Sequence, residues 1–151
     1  MTRNVLRTGE VVAPGNWGAV IRQHGATHGS WQRENVLEQI RSADFPAKPT
    51  RFEAAFAFTD LNSATWWWHH ERRTDFVYEV EVVEIGAASH IGDLLGVQMI
   101  AGVDASPEDA ARRYWSQGPR FKTSDGVFID ELVTLSPLRV VGEIEMSDVG
   151  G

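Results

Sequence analysis

At 151 residues, with 42% hydrophobic and 23% charged side chains, the chain has the make-up of a single soluble globular domain spanning 1–151. A formal charge of −7 argues against broad electrostatic binding to nucleic acid, and the lack of cysteine excludes disulfides and thiolate chemistry. No run of about eighteen apolar residues is present to span a membrane, and Met1-Thr2-Arg3-Asn4 does not open a signal-peptide core, so a cytoplasmic location is the default expectation.

In chain order, Asn4 to Thr8 is a short strand candidate, and Ala13-Pro14-Gly15-Asn16 reads as a turn. Residues 22–30, rich in Gly and His, read as irregular. Ser30 is placed to cap a helix that runs to about Ala43, with Val36, Leu37 and Ile40 at helical spacing. Two prolines stiffen the loop from Phe45 to Thr50. Arg51 to Phe58 reads as a strand with Phe52, Ala54, Phe56 and Phe58 on one face. Thr59 or Asp60 caps a helix to about Glu71, with Leu61, Ala64, Thr65 and Trp68 as its buried stripe.

Asp75 to Glu84 alternates as a strand with one buried face. Gly86 to Gly102 is ambiguous: Ile91, Leu94, Leu95 and Met99 suit a short helix that Gly92 and Gly96 weaken. Ser106-Pro107-Glu108-Asp109 starts a helix that ends near Gly118. Two strands close the chain, Phe128 to Val133 and Leu138 to Met146, before a frayed tail from Ser147 to Gly151. Strands and helices are mixed without regular alternation, which predicts an α+β fold with mostly antiparallel pairing.

In the penultimate strand Val127, Ile129, Glu131 and Val133 share a face. A carboxylate in an apolar row is costly unless something polar meets it, and a ligand is one such partner. The competing constellations are weak. His24 and His28 are separated by Gly25 in a segment that does not read as helical, so a surface loop is favoured over a metal site. His69 and His70 are neighbours and point apart on a helix. Trp66, Trp67 and Trp68 cannot share one helical face; core and cover packing is favoured, with the lining of a pocket or a protein-binding surface as the alternatives.

Three stretches taken in order resemble the ADP-ribosyltransferase family. Val5-Leu6-Arg7-Thr8-Gly9 is similar to its first strand, which carries an NAD-binding arginine. Phe56 to Ala64 is similar to its central strand and Ser/Thr turn, here reduced to Thr59 after Phe58. Asp130 to Val141 is similar to its late strand with a catalytic glutamate. The resemblance implies a split, mostly antiparallel sheet core with flanking helices, gripping NAD as substrate in a cleft. It also implies transfer of ADP-ribose to a macromolecule, a protein before a nucleic acid, with release of nicotinamide. Glu131 would be catalytic, and Arg7 with Thr8 would hold the phosphates or ribose of NAD. Phe58 and Thr59 would meet the nicotinamide. Arg51, from the residues themselves, is expected at the strand start as a further phosphate contact. Ile129 stands where arginine-modifying members carry a second glutamate, which points away from arginine as acceptor. A fold member that only binds or hydrolyses NAD, and a non-enzymatic interaction module, are the alternatives.

Overall fold

The computed structural model describes residues 1–146, so the expected fraying of the tail beyond them lies outside the described residues. The fold is α+β, with four α-helices and two antiparallel three-stranded sheets among the described residues. One sheet has the order β1 (Val11–Val12), β6 (Leu138–Ile144), β3 (Val77–Val82). The other has the order β2 (Ala55–Phe58), β5 (Asp130–Thr134), β4 (Ser89–Asp93). The helices are α1 (Asn16–His24), α2 (Trp31–Asp44), α3 (Leu61–Glu71) and α4 (Pro107–Trp115).

The caps explain where two helices begin. Asp60 Oδ1 accepts from Ser63 N at 2.8 Å, and Ser106 Oγ accepts from Asp109 N at 3.2 Å. Pro107 then sits in the first turn of α4, where its missing N–H has no partner to lose. Ser30 precedes α2 but its side chain makes no capping bond. Leu37 and Ile40 of α2 pack with Ala111, Tyr114 and Trp115 of α4 in the larger core cluster. Trp115 Nε1 donates to Leu37 O at 2.8 Å and ties the two helices together. Ala64, Trp68 and Val77 form a second cluster that seats α3 beside β3.

Several elements differ from what the sequence predicts. Asn4 to Thr8 is not a strand: Leu6 N donates to the Tyr78 hydroxyl at 3.0 Å, and the chain turns at Gly9, whose φ is 86°. The α1 helix replaces part of the expected irregular region. Its Gly18 looks like a breaker, but a Cβ there would overlap the Phe52 carbonyl, so the close helix–backbone approach requires glycine. Arg51 to Glu53 form a turn rather than the start of β2. Leu61 is half exposed, and Ser63 takes its place on the buried face of α3. Gly86 to Gly102 holds β4 and a short 3-10 turn at Leu95–Val97 instead of a helix, because pairing with β5 overrides the weak local preference.

Candidate functional site

Glu131 is the second residue of β5, opposite Phe58 on β2 and Gly92 on β4. Ile129 and Val133, on its face of the strand, are both fully buried, and Glu131 itself is 5% exposed. The predicted carboxylate in an apolar row is therefore real, and its partners come from outside the strand. Arg51 Nη1 and the Tyr114 hydroxyl both donate to the same oxygen, Oε1, the latter at 2.7 Å. Arg51 Nη1 also donates to the Tyr114 hydroxyl at 2.7 Å. The other side of the guanidinium faces α2, where Nε and Nη2 donate to Glu34 at 2.9 and 3.3 Å. The guanidinium lies near two rings, 4.8 Å from the Phe56 centroid and 5.4 Å from that of Tyr114.

This cluster of Glu34, Arg51, Tyr114 and Glu131 corrects the expected role of Arg51. It is not a surface side chain awaiting a phosphate but a buried one, 5% exposed, whose donors meet two carboxylates and a phenol. Burial opposes the charge on Arg51, yet Glu131, Tyr114 and Glu34 outweigh it and hold the guanidinium pKa well above its ordinary value. For Glu34, burial again works against the charge, and Arg51 with Arg33 prevails, so its carboxyl sits below the usual range. Burial is the largest cause that pushes the Tyr114 hydroxyl well above the ordinary tyrosine range, which keeps it a proton-bearing donor at neutral pH.

Gly92 makes the arrangement possible. A Cβ at that position would overlap the Tyr114 ring, so only glycine lets the ring lie across β4 and reach Glu131. His90, two residues earlier, is also buried, with Nε2 3.1 Å from Tyr114 O and Nδ1 unpartnered. Burial, chiefly, brings its pKa down to about 4.

Oε2 of Glu131 makes no hydrogen bond among the described residues. Glu131 lines a cleft of about 170 Å³ that lies between the end of α3 and the β2–β5–β4 sheet. Phe58, Trp67, Arg72 and Asp75 line it too, with the Phe58 and Trp67 ring centroids 6.1 Å apart. Phe58 and Glu131, cross-strand partners, thus both line this cleft. Thr59 is exposed at the adjoining turn, its N–H bonded to Asp130 O and its hydroxyl to Asp60. Arg7 and Thr8 are exposed in the turn before β1 and are not among the residues lining the cleft. Arg72 is a cation of the cleft wall, beside Met1 with its terminal amine; it follows α3 and forms no ion pair among the described residues.

Sequence reasoning did not single out Arg72 or Glu34 for this site, and it left Trp67 and Tyr114 as aromatics that pack as core or line a pocket. Arg72 and Trp67 read as parts of a helix, and the pairing of Glu34 with Arg51 depends on how α2 packs. The three tryptophans have separate roles: Trp68 is core, Trp67 is cleft wall, and Trp66 Nε1 donates to Asp125 at 3.0 Å. His24 and His28 have ring centroids 5.9 Å apart, and no group of three or more metal-binding side chains occurs among the described residues. No helix among the described residues is long and apolar enough to cross a membrane.

No curated protein matches the chain. A family model does, over residues 15–143, which run from the residue before α1 into β6 and include Glu34, Arg51, Tyr114 and Glu131. The chain belongs to the family described as protein of unknown function (DUF2441).

Proposed function

We propose that the chain is an NAD-dependent mono-ADP-ribosyltransferase whose reaction takes place in the Glu131 cleft. One observation carries the reading: Glu131, pinned through Oε1 and with Oε2 unbonded among the described residues, lines a cleft walled by Phe58, Trp67 and Arg72. A free carboxylate oxygen accepts a ribose hydroxyl beside the anomeric carbon. The same negative charge stabilises the cation that develops as the glycosidic C–N bond breaks and nicotinamide leaves with the electron pair. An acceptor nucleophile then bonds to that carbon and gives up its proton.

The cleft, at about 170 Å³, is smaller than the pockets that enclose a drug-sized ligand, ~300–1,000 Å³. It suits the nicotinamide-ribose end, with the remainder of NAD crossing its open mouth. Phe58 and Trp67 give the ring apolar faces. Arg72 supplies the phosphate contact that the resemblance gave to Arg7. The antiparallel split of β1–β6–β3 from β2–β5–β4 supports the same reading.

The test is release of nicotinamide from NAD, measured with and without a lysate protein fraction as acceptor. Glu131→Gln should lower the rate by at least ~100-fold, as expected for loss of a group aimed at transition-state charge. Arg72→Ala should raise the KM for NAD about tenfold, the effect of one charged hydrogen bond. Parent-like turnover by Glu131→Gln refutes the assignment.

A further inference from the structure

We infer, on the reading just given, that Tyr114 and Arg51 are positioning residues that fix the Glu131 carboxylate so that Oε2 alone is offered to the ribose of NAD. A free glutamate side chain has three rotatable bonds and turns either oxygen outward. Here both donors bind one oxygen, which fixes the rotation about the last of those bonds. The donors are themselves held. Arg51 is bonded on its far side to Glu34, and Tyr114 lies across Gly92 with its hydroxyl joined to Arg51. The chain of contacts therefore runs from α2, through the turn before β2 and the end of α4, to the reacting strand.

A positioning role also explains why a charged cluster is kept in the core. Well-packed apolar side chains commonly stabilise such a place as well as a buried ion pair does. The apolar solution would leave Glu131 free to turn or without a partner. The phenol of Tyr114 adds a donor that stays protonated at neutral pH, so the geometry does not depend on a second titrating group near the cleft.

Tyr114→Phe removes the hydroxyl and keeps the ring over Gly92. The experiment measures kcat and KM for nicotinamide release from NAD by the full chain, with a urea melt of each variant. In Tyr114→Phe, kcat should fall ~10- to 100-fold, the range for one hydrogen bond to a charged group, with KM within about twofold of the parent. Glu34→Gln, which reaches Glu131 only through Arg51, should give a smaller fall, roughly three- to tenfold, again in kcat, the range for one ordinary hydrogen bond. It decides the matter alone should Tyr114→Phe not fold. Unchanged kcat in the folded variants, or kcat and KM moving together with the fraction unfolded, overturns the inference. Absence of nicotinamide release from the parent overturns the underlying reading and the inference with it.

Discussion

Replacing Arg51 by methionine tests whether the buried cluster is a coupled unit. Methionine keeps much of the stem volume and removes the guanidinium, which donates to Glu34, Tyr114 and Glu131. Two carboxylates at 1% and 5% exposure then lose their shared cation. Removing one partner of a buried pair costs about 3–5 kcal/mol, because the remaining charge is stranded. Two stranded charges do not double that figure here. Glu34 retains Arg33 at 3.2 Å, and Glu131 retains the Tyr114 hydroxyl. The expected loss is therefore about 3–5 kcal/mol in total, a large share of the ~5–15 kcal/mol that stabilises a typical domain. With a urea m-value near ~2 kcal/mol/M, the midpoint should fall by roughly 2 M. Adding Glu131→Gln should restore part of the loss, since a neutral amide no longer demands a cation. The deficit should also narrow as the pH falls and the stranded Glu34 carboxyl takes up a proton. A midpoint shift below ~0.5 M at unchanged m, or a double variant less stable than Arg51→Met, would refute the reasoning.

Two further outcomes follow from neighbouring residues. His90 has its folded pKa lowered from 6.5 to about 4, so the unfolded chain binds the proton first as the pH drops. Stability should be complete above about pH 6.5 and decline between there and about pH 4, by up to roughly 3 kcal/mol, and His90→Gln should remove that part of the slope in urea titrations. Gly92→Ala should cost about 1–3 kcal/mol by overpacking against Tyr114. Its crystal structure should show the Tyr114 hydroxyl moved away from Glu131, and an unmoved ring at parental stability would contradict the close approach.

What the sequence reveals here follows the range of each interaction. The capped helices α3 and α4 were legible because Asp60 and Ser106 act on residues three positions away. The face of β5 was legible because alternation is a property of the strand itself. Arg51 was misplaced because a charged residue beside an aromatic run resembles a solvated strand end; that it turns inward depends on Glu34 seventeen residues earlier and Glu131 eighty residues later. The α1 helix went unread, and its Gly18 has a reason only in the fold, where the Phe52 backbone lies against it. The Arg7 stretch matched a local pattern, yet a turn at Gly9 and a bond to Tyr78 shape it in the fold. Arg72 could be linked to the cleft only once α3 was docked on its core cluster.

Dividing the strands into two sheets of three leaves four outer strands where a single sheet would leave two. Each outer strand can recruit a strand from another molecule, and the chain blunts that tendency in several ways. β1 is only two residues long. β3 exposes Glu79 and Glu81 and has a register irregularity between Glu79 and Val80, so its rim is both charged and bent. Along β4, Gln117 donates to the Ile91 carbonyl and Asp93 accepts from Phe121 N, which draws the 116–121 segment against that strand. Beside β2, Gly15 N bonds to Ala54 O just ahead of the strand. The split that opens space beside Glu131 thus creates a solubility problem, and short, charged and covered rims limit it.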